Sequence, residues 1–269
     1  MEKYTGICNL CLNEKNLCDA HIIPKSLKKI VMGTQEKTMK ALSFTTDKYL
    51  KNIKLLQKPY NEQNLIHDHN ILCEDCDKKL GIYDKEFVSF YKEYINSDIR
   101  KSSYFNKNIF FEYNLYPNRI YLGFAACLFR YSISKNFPQI KLGKYQEYFR
   151  KSLFEDNYEE IKKIFRIHPI GMYETSRESS KVIFDFYPSK IKTLHFYYTF
   201  SLGMTIIMTV GQQKMEDVIP PEREINFPQI LPDQNIRIPL FDPYSCPQLK
   251  ILQPLVNQVK IFPPSTPAT

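Results

Sequence analysis

Two Cys-x-x-Cys pairs, Cys8-Asn-Leu-Cys11 and Cys73-Glu-Asp-Cys76, constrain this chain more than any other feature. A pair so spaced fits one tight turn, with both thiolates facing a common point. Two such pairs brought together make a tetrahedral sulfur cage suited to a structural zinc ion. The 61 residues between the pairs exceed the spacing of a compact zinc ribbon, so a long insertion is expected inside the module. A redox dithiol accounts for either pair alone but not for both. Three further cysteines, Cys18, Cys127 and Cys246, bring the total to seven. An odd count, in a chain whose N-terminus has no apolar signal-peptide core, argues against a secreted disulfide framework. Cys18 is close enough to the first pair to substitute as a ligand, and Cys127 reads as a small core residue in an apolar helix.

Charge adds a second constraint through its location. The net charge is +8, and residues 1–60 carry +6 of it, from 11 Lys against 5 acids. Nine of those lysines fall between Lys25 and Lys58, interleaved with Phe44, Tyr49 and Tyr60. A local excess of ammonium groups suits a polyanion, because each neutralised phosphate releases condensed counterion. Lys25, Lys28 and Lys29 are the candidate phosphate contacts, against the alternative of a lysine-rich face that serves solubility. No apolar run reaches the length of a bilayer span, so a soluble cytoplasmic protein without a membrane partner is expected.

Periodicity divides the chain into three parts and predicts an α+β protein. Residues 1–95 form a cysteine-bearing module with a Lys-rich insertion over 25–65. Residues 96–219 combine helices with strands. Apolar residues recur at helical spacing over Tyr83–Tyr94 and Leu122–Ile133, and further helical patterns run over Lys144–Phe154 and Tyr158–Phe165. Three strand-like runs between 181 and 210, punctuated by Pro188 and Gly203, predict a small antiparallel sheet. Residues 220–269 are an extended tail, since 11 of the 17 prolines lie between Pro220 and Pro267. Arg130 stands inside an apolar helix, where it needs an acid such as Glu147 or a phosphate.

The order Cys-x-x-Cys, then His21-Ile-Ile-Pro, then Leu72-Cys-x-x-Cys followed by the polar Asp77 resembles the zinc-containing HNH endonucleases. These are treble-clef, ββα-metal nucleases. The likeness is greatest to a bacterial HNH-like group with the same motifs, and it covers about residues 8–95. It implies a zinc-bound treble-clef N-terminal module that hydrolyses phosphodiester bonds of nucleic acid, DNA above all. In such an enzyme His21 matches the general base, and Asp77 matches the ligand of a catalytic divalent ion, Mg²⁺ or Mn²⁺. The middle position of the motif falls on Asp68 by offset from Cys73, or on Asn70 by residue type. His67 and His69 are additional ligand candidates.

One departure from the pattern bears on activity. Many HNH enzymes carry an acid immediately before the first histidine, where this chain has Ala20, with Asp19 one step further out. If the segment is extended, Asp19 and His21 share a face and Ala20 points away. The alternative is a catalytically silent zinc module that binds nucleic acid or a protein, in which His21 is structural. The resemblance also implies a role in phage defence or mobile elements, and the hazard of a free nuclease implies a regulatory protein partner.

Overall fold

The computed structural model describes residues 4–32, 67–97, 110–172, 186–191, 193–201, 203–213 and 229–241, together with four short strands between 39 and 62. The chain opens on β1 (Thr5–Ile7) and β2 (Glu14–His21), an antiparallel pair joined through the first cysteine turn. Helix α1 (Lys25–Met32) begins directly after Pro24. Then come β3 (Met39–Ala41), β4 (Phe44–Thr46), β5 (Ile53–Leu55) and β6 (Tyr60–Glu62). β4 pairs with β5 and β3 with β6, two antiparallel ladders nested one outside the other. Strand β7 (His67–Cys73) returns to pair antiparallel with β2 and runs without a loop into α2 (Glu74–Asn96). The insertion therefore leaves and re-enters one small sheet of order β1-β2-β7.

The second half packs against α2. β8 (Phe110–Tyr113) precedes α3 (Pro117–Ile133), whose residues from Ile120 to Ser132 are all buried. A helix apolar on every side belongs between other elements, and α3 lies along α2. The two approach closely at Gly123, where a Cβ would meet Phe87 Cβ at 3.0 Å and the Tyr83 carbonyl at 3.3 Å. Phe87 and Phe124 meet edge to face across that contact, with centroids 4.7 Å apart. Helix α4 (Gln146–Glu155) follows and packs on α3.

The remaining strands are β9 (Phe165–Met172), β10 (Tyr187–Ile191), β11 (Leu194–Ser201), β12 (Met204–Val210) and β13 (Ile236–Phe241). They join β8 in a six-stranded sheet of order β10-β11-β12-β9-β13-β8. The second and third expected strand runs are present as the antiparallel hairpin β11–β12; most of the first, over 181–187, lies outside the described residues, and the strand that pairs with β11 is β10, which contains Pro188 rather than ending before it. Tyr94 and Tyr121 tie the helices to this sheet, donating to the carbonyls of Gly203 at 2.7 Å and Phe165 at 2.8 Å. One apolar cluster runs from Cys8 and Leu17 through α2 and α3 to Ile206 and Leu240.

Two expectations are corrected. The helical pattern over Tyr158–Phe165 resolves into a 3-10 turn at Ile161–Lys163 followed by β9. Asp156, at φ 56°, ends α4 in a left-handed turn, and the short segment after it cannot nucleate a helix against the pull of β12. The proline-rich tail is not wholly irregular, because β13 sits inside the sheet. Ile236–Pro239 pair with β8, and Leu240 and Phe241 pair in parallel with β9. Pro239 stands where the strand changes partner, which suits a residue with no N–H for a ladder. The tail residues 220–228 and 242–269 lie outside the described residues.

Candidate metal centre

The four cysteines of the two pairs converge. Cys8, Cys11, Cys73 and Cys76 bring their sulfurs within 4.8 Å of one another, so they could hold a metal ion such as zinc. The Cys11 and Cys73 sulfurs are 4.0 Å apart, close to the roughly 3.8 Å edge of a tetrahedron with 2.3 Å metal–sulfur bonds. Local structure explains the convergence. Leu12 N donates to the Cys8 carbonyl at 2.9 Å, and Leu12 itself sits at φ 60°, curling the first pair into a knuckle. Cys73 caps the start of α2 and Cys76 occupies its first turn, which turns both thiols to one side of the helix end.

The knuckle is fastened from both sides. Asn9 donates its main-chain N–H and its side-chain amide to the Ile71 carbonyl, at 3.1 and 2.8 Å. That carbonyl is free because the β2–β7 register shifts between Cys18 and Asp19, leaving Asn70 and Ile71 as a bulge. Arg150 of α4 donates to the Leu10 carbonyl at 2.8 Å while held in two hydrogen bonds by Glu147. The electrostatics suit metal uptake. The Cys8 thiol is pulled down to about 4, chiefly by the hydrogen bond from Cys76 and also by main-chain N–H groups of Cys11, Cys73 and Leu10. The same bond, with burial, pushes the Cys76 thiol far up.

Beside the cage, β2 and β7 form a second constellation. Their register pairs Asp19 with His69, Ala20 with Asp68 and His21 with His67. Alternation along the strands puts Asp19, His21, His67 and His69 on one face, and Ala20 and Asp68 on the other. Asp19 Oδ2 lies 3.3 Å from His67 Nδ1, and Asp19 Oδ1 lies 3.2 Å from His69 Nδ1. The His21 and His67 rings sit with centroids 4.2 Å apart. Burial, and then the neighbouring His67, hold His21 below the usual imidazole range, and its Nε2 has no hydrogen-bond partner.

His21 is gripped through its main chain at both ends. Its N–H donates to the Asp77 carboxylate, a carboxyl that burial nonetheless pushes above the usual range. Its carbonyl accepts from Arg130 Nη1 at 2.9 Å. Arg130 is only 1% exposed and forms a two-pronged ion pair with Asp84 of α2. Burial works against its charge, and Asp84 more than offsets that, so the guanidinium stays ionised. The partner is thus Asp84 rather than Glu147, which belongs to Arg150. Sequence alone could not choose Asp84, because only the crossing of α2 and α3 puts it opposite Arg130.

The other candidates are distributed as follows. Asp68 is buried away from His21, accepting from Ser134 Oγ at 2.6 Å and Lys135 N at 2.7 Å, so it buttresses the end of α3. Asn70 is the bulge residue, at φ 63°, a conformation asparagine tolerates better than most. Cys18 is outside the four-sulfur cluster, and burial pushes its thiol up to about 11. Lys25, Lys28 and Lys29 lie on α1, with Lys25 exposed, while most of the insertion's other lysines lie outside the described residues. Among the described residues, no helix is long and apolar enough to cross a membrane. Comparison with models of protein families, with curated proteins and with solved structures found no match to this chain.

Proposed function

We propose that this chain is a metal-dependent HNH-type endonuclease built on a treble-clef zinc module. The observation that carries the reading is the placement of His21. It lies at the end of β2, its main chain is bonded to Asp77 on the first turn of the helix that bears Cys76, and the sulfur cage adjoins it. Cys8, Cys11, Cys73 and Cys76 would hold zinc, which supplies rigidity rather than chemistry. Neutral near pH 7 and with an unpartnered nitrogen, His21 is suited to take a proton from an attacking water. A divalent ion, Mg²⁺ or Mn²⁺, would stabilise charge on phosphate oxygens, with Asp77, Asp19 and His69 as the candidate ligands. Lys25 and the other lysines of the insertion would track the DNA backbone.

A second reading is a zinc module that binds nucleic acid or a protein without cutting it. Ala20 favours it, being sealed in the core at the position where the resemblance expects an acid. Metal analysis combined with plasmid cleavage, using wild type and His21→Ala in Mg²⁺ and Mn²⁺, separates the two. One zinc per chain with cleavage abolished in the variant is the expected result. Equal cleavage by both proteins, or none by either, removes the nuclease reading.

A further inference from the structure

We propose that Lys135, Lys141, Lys144 and Lys190, where the α3–α4 connection meets the β10–β11 edge of the large sheet, form a second contact surface for the nucleic-acid backbone. The proposal deepens the nuclease reading, on which it rests, by giving the substrate a path away from His21 that does not use the lysine-rich insertion. Charge segregation in the sequence points to it first. No Asp or Glu occurs over 113–146 or over 186–215. Those stretches are 34 and 30 residues long, and at the chain's average of 29 acids in 269 residues they would together carry about seven. The fold brings the two together. Tyr197 of β11 donates to the Lys141 carbonyl at 2.7 Å, and Tyr131 meets Phe186 edge to face with centroids 4.7 Å apart.

All four lysines are exposed, and among the described residues none of them makes an ion pair. Lys15, Lys78, Lys162 and Lys163, by contrast, each meet an acid within 2.9 Å. The two arginines of the acid-free helix are taken by α2, Arg119 by Glu86 and Arg130 by Asp84. Lys190 stands directly across from His195, so their side chains share a face of the sheet. The Tyr145 ring meets His195 edge-on at 6.2 Å, and Lys144 Nζ lies 5.2 Å from the centre of that tyrosine. Burial, then Lys190 and Lys144, hold the His195 imidazole below its usual range, so the charge around it is positive. At the other end, Asn136 donates to the His67 carbonyl at 3.1 Å, and the His67 and His21 rings are 4.2 Å apart. Residues 135–144 thus run from beside His21 to His195, with a lysine at each end. Unopposed ammonium groups suit a polyphosphate, which gains from the release of condensed counterions. A path that starts beside the candidate base favours the substrate strand over an acidic protein.

The test is fluorescence anisotropy of a labelled DNA duplex with the full zinc-loaded chain, without Mg²⁺ or Mn²⁺, over a series of salt concentrations. Combining Lys141→Gln, Lys144→Gln and Lys190→Gln should weaken binding at least about tenfold at about 0.15 M salt. The slope of log K against log salt should become shallower by about 2–3. Arginine at the same three positions keeps the charge and should bind as wild type does. A control combining Lys15→Gln, Lys162→Gln and Lys163→Gln removes equal net charge from lysines already paired with acids, and should stay within about threefold of wild type. A control loss equal to that of the first variant overturns the surface. Undiminished duplex binding by the first variant also overturns it, and turns these lysines over to an acidic protein. Cleavage in Mg²⁺ or Mn²⁺ is read separately. Plasmid cutting by wild type, with duplex binding indifferent to the three lysines, removes the surface and keeps the nuclease reading. Binding that depends on them, with no cutting at all, supports the surface and removes the nuclease reading instead.

Discussion

Replacing Asp84 by asparagine should destabilise this protein far more than a change on one turn of a helix ordinarily does. Arg130 is 1% exposed, and it donates two hydrogen bonds to the Asp84 carboxylate and, among the described residues, others to the His21 and Ala126 carbonyls. Asp84→Asn keeps the shape but takes from a buried guanidinium its paired carboxylate, leaving Asp77 as the nearby acid, and faces an N–H₂ group toward one of its prongs. Breaking a buried pair from one side costs about 3–5 kcal/mol. The lower end applies, because Asp84 is 17% exposed and water can reach the substituted amide. With a urea slope of about 3 kcal/mol/M, a 3 kcal/mol loss moves the unfolding midpoint down by about 1 M. The assay is equilibrium urea unfolding with zinc in excess, so that metal loss does not enter the comparison. Adding Arg130→Met to Asp84→Asn should recover at least about 1 kcal/mol, since an apolar side chain of similar length no longer needs the charge. A single-variant loss below about 0.5 kcal/mol, or no recovery in the pair, would refute the view that this ion pair anchors His21 to α3.

Two further outcomes concern residues of β2 and β7. Asp68→Ala strips the acceptor from Ser134 Oγ and Lys135 N and should cost about 2 kcal/mol; its thermal midpoint should fall while zinc content stays at one per chain, and a lost zinc would contradict the assignment. His21, whose folded pKa is depressed by burial and by His67, should make the protein less stable as pH falls. The unfolded chain takes up a proton near the ordinary value of about 6.5 before the folded one does, so stability is lost from there down to the folded pKa. Thermal midpoints measured from about pH 7.5 to 5.5 should therefore fall less steeply in His21→Asn than in wild type, and identical slopes would show that His21 is not the group responsible.

Much of the module was legible in residue order because cysteine chemistry is local and specific. The spacing of Cys8 with Cys11 and of Cys73 with Cys76 predicts the four-sulfur cluster, whatever lies in the 61 residues between. The same holds for α2 and α3, whose apolar residues recur at helical intervals, and for the hairpin of β11 and β12. Asp19 and His21 sharing a face needed only the assumption of an extended strand. Tertiary structure decided everything that depends on which strands and helices meet. It set the β2–β7 register and its bulge, which bring His67 and His69 to Asp19 and turn Asp68 away. It matched Arg130 with Asp84 and drew part of the proline-rich tail into the sheet as β13. The physical reason is that a side chain's partners across 50 or 100 residues are set by packing and ladder pairing. Neither leaves a periodic trace in the chain, whereas a ligand pair on one turn does.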